Sequence, residues 1–132
     1  MTAPTPAIDG ALRHEGLTVF VRGLKIDAGI GVYDHEQGRL QRLVLDVSLE
    51  LAPGPVGRLA ETINYETVAN QARAIAAAGH IGLVETFAGR LAAACLEDSR
   101  VLRARVRIEK PGALEPAEAA GCEVVLARPD TP

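Results

Sequence analysis

Aromatic side chains are scarce in this sequence, which has two Tyr, two Phe and no Trp among 132 residues. Proteins that bind single-stranded nucleic acid usually stack the bases on aromatic side chains. Charge is also close to balanced, with 14 Lys and Arg against 17 Asp and Glu, and there is no long basic run. A nucleic acid would find few aromatic side chains on which its bases could stack and no basic surface for its phosphates. We therefore expect no nucleic-acid partner.

Cysteines and long apolar runs are equally few. Cys95 falls in a helical pattern and Cys122 in a strand pattern, so each is predicted to be a small buried hydrophobic residue. A chain with so little cysteine fits a reducing, cytoplasmic setting. No stretch is long and apolar enough to predict a membrane span. The first residues lack a basic start followed by an apolar run, so we expect no signal peptide.

Recognised metal-binding and phosphate-binding motifs are missing as well. The histidines His14, His35 and His80 show neither His-x-His nor His-x-x-x-His spacing, and the two cysteines are far apart. There is no glycine-rich phosphate loop and no Gly-x-Ser-x-Gly turn. We expect no metal site. Catalysis, if there is any, would use ordinary acids, bases and hydrogen-bond donors.

The apolar pattern predicts one domain with four strands and two helices. The predicted elements are strands at 17–26 and 43–51, helices at 68–76 and 84–95, and strands at 102–109 and 122–126. Asn64 is expected to cap the first helix and Gly79 to end it. Residues 1–16 are expected to form a flexible extension before a domain at 17–129.

The order β-β-α-α-β-β predicts an α+β fold with an antiparallel sheet and both helices on its apolar face. The other face of the third strand carries Arg103, Arg105 and Arg107. If the second and third strands are neighbours, these arginines could pair with Asp46 and Glu50. The row is either an ordinary solvated face or a polar wall inside an oligomer.

Four short segments carry most of the residues suited to acid–base chemistry. They are Gly-Ile-Gly-Val-Tyr-Asp-His-Glu-Gln at 29–37, Ile-Asn-Tyr-Glu at 63–66, Leu-Val-Glu at 83–85 and Val-Arg-Ile-Glu-Lys-Pro-Gly-Ala at 106–113. In this order and spacing, they resemble the dihydroneopterin aldolases. The resemblance runs from about Val19 to Arg128. Each segment is a weak signal alone, but four of them on one β-β-α-α-β-β frame are fairly specific.

The resemblance implies a tunnelling fold and a retro-aldol reaction of folate biosynthesis. Dihydroneopterin would be split into 6-hydroxymethyl-dihydropterin and glycolaldehyde. The pterin ring itself would accept the electrons of the breaking bond, so no Schiff base, metal or bound organic cofactor is implied. The family resemblance also implies a homo-oligomeric ring, with each pterin site between subunits.

The same resemblance implies roles for particular residues. Lys110 would activate a water or a substrate hydroxyl, and Glu36 would orient the lysine or the substrate. Tyr65, reaching over from a neighbouring subunit, would deliver a proton to the enol intermediate. Each of these side chains also has an ordinary interpretation, since a lysine before a turn, a loop acid and a tyrosine at a helix start are commonly solvated.

Binding roles are implied for a second group of residues. Glu85 would accept two N–H bonds from the pterin edge, and bidentate charge-assisted bonds of this kind give both energy and orientation. Its ordinary interpretation is a charge that favours the helix dipole, worth about 0.3–1 kcal/mol. Backbone groups near Val84 and Ile63 would complete the pterin site.

Two other functions remain open at this point. A dihydroneopterin triphosphate 2'-epimerase would share the fold and the lysine, and it would need a phosphate-binding mouth to which Arg39 and Arg42 could contribute. A non-catalytic pterin-binding ring protein would keep only the fold. The presence of Glu36, Tyr65, Glu85 and Lys110 together argues against the non-catalytic alternative.

Overall fold

A computed structural model describes residues 12–132, so the greater part of the predicted extension at 1–16 lies outside the described residues. The elements are β1 (Leu17–Ala28), β2 (Gln41–Leu51), α1 (Tyr65–Ala77), α2 (Val84–Cys95), β3 (Val101–Pro111) and β4 (Ala119–Ala127). Short 3-10 turns lie at Asp34–Glu36 and Leu59–Glu61. The predicted β-β-α-α-β-β order is confirmed, and each strand extends somewhat beyond its predicted bounds.

The four strands form one antiparallel sheet in the order β1-β2-β3-β4. Each strand therefore pairs with its neighbour in sequence, as hairpin-like connections favour. In the described chain, β1 and β4 are the sheet edges. A bulge between Val21 and Leu24 interrupts the β1–β2 register.

The core lies between one face of the sheet and the two helices. α1 packs against β1, and α2 packs against β3 and β4. The odd-numbered residues of β2, from Leu43 to Leu51, all point into this core, because side chains alternate between the two faces of a strand. Phe87 of α2 is the largest fully buried side chain. The two helices thus cover the same apolar face of the sheet, as the sequence predicts.

α1 begins and ends where the sequence predicts. The Asn64 side chain accepts a hydrogen bond from the backbone N–H of Glu66 at 3.0 Å, which satisfies one of the free donors at the helix start. At the other end Gly79 has φ +137°, a conformation that side chains with a β-carbon rarely adopt. The chain turns there towards α2.

The arginine row on the outer face makes only one of its expected cross-strand pairs with β2. Arg103 Nη1 lies 3.0 Å from Glu50 Oε1. Asp46 instead accepts the Gly23 N–H at 2.7 Å in the β1 bulge, so Arg107 turns to Glu109 at 3.3 Å. Exposed ion pairs of this kind contribute little to stability. A tunnel-lining role for the row stays a prediction.

The two cysteines pack as small hydrophobic residues. Both are free; Cys95 is buried and Cys122 is partly buried. Burial raises the pKa of the Cys95 thiol to about 11, as expected when desolvation disfavours the thiolate. In the chain from residue 12 onwards, neither helix is long and apolar enough to cross a membrane.

Candidate active site

The segment that follows β1 approaches its neighbours unusually closely. Ile30 forms an isolated parallel bridge with Ile81, in which the Gly31 N–H donates to the Ile81 carbonyl at 3.0 Å and the Ile81 N–H donates to the Gly29 carbonyl at 3.0 Å. Gly31 has φ +123°, and a β-carbon there would lie 2.1 Å from the Glu36 carboxyl carbon. Only glycine leaves room for that carboxylate.

Glu36 is the one buried charged side chain among residues 12–132, with 5% of its surface exposed. Its carboxylate accepts hydrogen bonds from Lys110 Nζ at 2.5 Å, Gln41 Nε2 at 3.0 Å and the Tyr33 N–H at 3.3 Å. The hydrogen bonds from Lys110 and then Gln41 lower its pKa from 4.5 to about 2. Glu36 is therefore ionised at neutral pH, because hydrogen bonds to a carboxylate favour its charged form.

Lys110 reaches Glu36 from the far end of β3. It pairs with Ala120 of β4 and precedes Pro111, which restricts it to an extended backbone. Its side chain is 17% exposed, so this lysine is not an ordinary solvated strand end. A short charge-assisted bond between two shielded groups fixes the direction of the ammonium group.

The Lys110–Glu36 pair lines a cavity of about 240 Å³. Val84 and Glu85 line the same cavity, together with apolar side chains such as Leu83. A larger cavity of about 450 Å³ lies beside Arg107 and residues 118–123, but none of the predicted site residues lines it. The buried ion pair therefore selects the smaller cavity as the candidate site.

Glu85 lies in the first turn of α2. Among residues 12–132 no donor forms a hydrogen bond to its carboxylate, although it is close enough to Cys122 to help raise the pKa of that thiol, after the larger effect of burial. The helix-dipole interpretation of Glu85 remains compatible with this position. A carboxylate that faces a cavity without a protein donor is also free to accept bonds from a ligand.

The two remaining predicted residues lie elsewhere in the chain. Ile63 is buried in the core and lines a separate cavity of about 120 Å³ with Asn64. Tyr65 is 62% exposed at the start of α1. Among the described residues, the lining of the Lys110 cavity includes neither of them. One chain thus brings together Glu36, Lys110, Val84 and Glu85 only.

Two residues that hold the site were not identified from the sequence. Gln41 donates to both the Ile30 carbonyl at 2.7 Å and Glu36. A signal for Gln41 existed, because it continues the inward-facing row of Leu43 and Leu45 with a polar side chain. His80 Nε2 lies 2.7 Å from the Gly31 carbonyl oxygen, and no local pattern indicates that contact.

The described chain offers no ready-made metal centre. No group of three or more His, Cys, Asp or Glu side chains within residues 12–132 is placed to hold an ion. The chemical groups of the site are an ammonium, two carboxylates and backbone amides, which together can bind a polar ring edge and transfer protons.

The fold and site together define a class. An antiparallel β-β-α-α-β-β sheet covered by two helices is the tunnelling fold, here with a lysine–glutamate ion pair and a second glutamate lining one cavity. The family model for dihydroneopterin aldolase, FolB, matches residues 19–125. This chain belongs to the dihydroneopterin aldolase family.

Individual relatives agree with the family match. A dihydroneopterin aldolase of Streptomyces coelicolor is 35% identical over 98 residues, which is 72% of this chain and 82% of that protein. A Burkholderia dihydroneopterin aldolase crystallised with guanine is 30% identical and has a TM-score of 0.73, covering 86% of this chain and 92% of that one. The Escherichia coli enzyme in complex with neopterin is 25% identical with a TM-score of 0.73, covering 83% and 98%.

Proposed function

We propose that this chain cleaves 7,8-dihydroneopterin into 6-hydroxymethyl-7,8-dihydropterin and glycolaldehyde, with Lys110 and Glu36 as the proton-handling pair. The observation that carries the proposal is the 2.5 Å contact between Lys110 Nζ and Glu36 Oε2 in the cavity that Glu85 also lines. The family membership supports the reaction. The residue roles rest on the geometry of this cavity.

Glu85 is assigned the pterin anchor. A pterin presents two adjacent N–H donors, at its 2-amino group and N3, and a carboxylate matches that edge with two parallel acceptors. The backbone of Val84 lies beside it at the start of α2 and is assigned the next polar atoms of the ring. Relatives crystallised with guanine and with neopterin support the choice of ligand, since both molecules carry such an edge.

Lys110 is assigned the first half of the reaction. Lys110, in its neutral amine form, accepts the proton of the substrate hydroxyl, the carbon that carries this hydroxyl becomes the aldehyde carbon of glycolaldehyde, and the electrons of the breaking C–C bond pass into the pterin ring. Glu36 is ionised and holds the lysine against the cavity wall, so the amine is positioned before substrate arrives. Positioning of a proton-transfer group is worth about 10²–10⁴-fold in rate.

Tyr65 is assigned the second half, protonation of the enol at carbon, and it would come from another copy of the chain. Within one chain it is exposed and does not line the Lys110 cavity. In the described chain β1 and β4 are the edges of the sheet, and sheet edges suit edge-to-edge pairing between copies, which would remove an aggregation hazard. A closed ring would satisfy both requirements, and the backbone at Ile63, two residues before Tyr65, would lie beside the same neighbouring site.

Mixed oligomers test this arrangement. Lys110→Ala and Tyr65→Phe chains are expected to be weakly active alone. Co-folded from denaturant, they should regain activity, because some sites would combine an intact Lys110 with an intact Tyr65. Light scattering should show an assembly several times the 13.9 kDa chain mass. A fully active monomer, or mixtures no better than their parts, would refute a shared site.

The structure gives the epimerase alternative little support. Arg42 Nε is bound to Asp27 at 2.6 Å, and Arg39 Nε donates to the His35 carbonyl at 3.0 Å. Among the described residues, neither arginine lines the Lys110 cavity. Within the described residues of one chain, a triphosphate would therefore find neither the Arg39 nor the Arg42 guanidinium at this cavity. We infer a preference for the substrate without phosphates.

The decisive experiment is incubation with dihydroneopterin and quantification of both products. Equal amounts of glycolaldehyde and hydroxymethyl-dihydropterin are expected, with turnover unchanged after exhaustive dialysis against EDTA. A parallel reaction with dihydroneopterin triphosphate should give much slower turnover. Pterin binding without glycolaldehyde would indicate a non-catalytic binding protein, and loss of activity restored by zinc would contradict the metal-free mechanism. A cytoplasmic location stays a prediction.

A further inference from the structure

His80 makes a side-chain contact that links two parts of the site. It lies in the turn between α1 and α2, and its Nε2 is 2.7 Å from the carbonyl oxygen of Gly31, 49 residues earlier. A carbonyl can only accept, so Nε2 carries the hydrogen of this bond. The imidazole is therefore a donor here whether or not Nδ1 is protonated.

The acceptor of this bond belongs to Gly31, the residue whose backbone is packed against the Glu36 carboxylate. Gly31 has φ +123°, and its missing side chain is the space that the Glu36 carboxylate fills. The same Gly31 carbonyl also accepts Gln37 Nε2 at 3.1 Å. The Gly31 backbone therefore borders the Glu36 carboxylate directly, so a displacement of Gly31 would crowd or release that carboxylate.

The two peptide groups that flank Gly31 are held by different contacts. The Ile30–Gly31 peptide donates its N–H to the Ile81 carbonyl at 3.0 Å. The Gly31 carbonyl belongs to the next peptide, and its donors are the side chains of His80 and Gln37. Gln37 is itself shared with the Tyr33 carbonyl at 3.2 Å, whereas His80 has Gly31 as its one hydrogen-bond partner within residues 12–132.

We propose that His80 is a positioning residue for the cleavage reaction, acting through the Gly31 peptide to seat the Glu36 carboxylate against Lys110. This inference rests on the proposed function of the Lys110–Glu36 pair. His80 does not line the cavity of that pair among the described residues, so it has no direct contact with substrate. Its loss should affect the chemical step and leave the pterin anchor at Glu85 in place.

A matched pair of variants separates the hydrogen bond from packing. His80→Gln and His80→Met have similar lengths, but only glutamine can donate to the Gly31 carbonyl. His80→Met is expected to lower kcat by about 10- to 100-fold, because small displacements of catalytic groups have effects of that size. The dissociation constant for a pterin should change less than about twofold, and His80→Gln should recover most of kcat.

A second measurement does not depend on turnover. The carboxyl carbon of Glu36, observed by NMR during acid titration, should report a pKa near 2 in the native protein and in His80→Gln, as the short Lys110 bond requires. In His80→Met that pKa should rise towards 4.5. A native Glu36 pKa in His80→Met, or equal loss of kcat in both variants, would overturn the positioning role.

Different results would contradict the proposed cleavage reaction and the proposed positioning role of His80. If the native protein releases no glycolaldehyde but His80→Met still raises the Glu36 pKa, the reaction assignment is wrong and the positioning contact stands. If the native protein cleaves dihydroneopterin and His80→Met matches it in both kcat and the Glu36 pKa, His80 is only part of the turn.

Discussion

The carboxyl carbon of Glu36 lies 2.1 Å from the point that a β-carbon on Gly31 would occupy. Real β-carbons do not come so close to another atom. The Glu36 carboxylate can therefore occupy its position only because residue 31 is a glycine. The Lys110–Glu36 contact at 2.5 Å depends on this pairing of a glycine with a buried carboxylate.

Gly31→Ala is therefore expected to lower turnover by about 100-fold or more, since it displaces the Glu36 carboxylate from Lys110. Gly38→Ala is the matched control. Gly38 also has a positive φ, +71°, but no atom lies within 4 Å of the point where its β-carbon would be, so it should cost stability without affecting kcat. Steady-state kinetics and thermal melts of both variants make the comparison. Equal kcat losses would show that backbone strain, and not the contact with Glu36, matters.

Glu36 should also make stability dependent on acid. Its folded pKa is lowered from 4.5 to about 2, so the native state binds fewer protons than the unfolded state between those values. The contribution of Glu36 is thus fully present above about pH 4.5 and is lost as pH falls towards 2. Urea titrations from pH 6 to 2 should show a shallower loss of unfolding free energy for Glu36→Gln than for the native protein. Parallel curves for the native protein and Glu36→Gln would contradict the lowered pKa of Glu36.

The sequence was sufficient for the architecture because hydrophobic periodicity is a local property. The alternation from Leu43 to Leu51 and the cap at Asn64 both predict their elements directly. The site also followed in part, since Glu36, Lys110 and Glu85 lie in short segments with a family resemblance. The contact between His80 and Gly31 could not be predicted, because it joins residues 49 positions apart through a turn whose geometry no periodic pattern encodes.

The placement of Tyr65 shows a different limit. The segment around it was grouped with the site, yet in one chain it lies outside the Lys110 cavity. The resemblance implies that Tyr65 reaches the site from a neighbouring subunit, and one chain leaves that placement a prediction. The arginine row shows a separate limit, because the alternation of side chains places Arg107 opposite Asp46 but does not reveal that Asp46 bonds the backbone of the β1 bulge instead.

Glu85→Ala is expected to weaken pterin binding by about 1.5–3 kcal/mol, because it removes charge-assisted hydrogen bonds from a carboxylate that has no protein donor among residues 12–132. Calorimetric titration with a non-reactive pterin measures the change, with thermal melting recorded alongside. A lower melting temperature with an unchanged dissociation constant would mean that Glu85 serves only the helix dipole.

The last prediction concerns the division of labour between Lys110 and Tyr65. Lys110 is assigned to the step in which the substrate hydroxyl loses its proton, so Lys110→Ala should slow the appearance of both products together, by about 10²–10⁴-fold. Tyr65→Phe removes only the hydroxyl assigned to protonate the enol, so glycolaldehyde should still form while hydroxymethyl-dihydropterin lags behind it.

Quenched single turnovers, with each product quantified separately, distinguish these patterns. Simultaneous and equal loss of both products in Tyr65→Phe would show that the tyrosine acts before the C–C bond breaks. Near-normal turnover in Lys110→Ala would be more damaging. It would mean that the shielded pair with Glu36 serves stability alone, and then the acid titration of Glu36→Gln should still show its full effect while kcat stays unchanged.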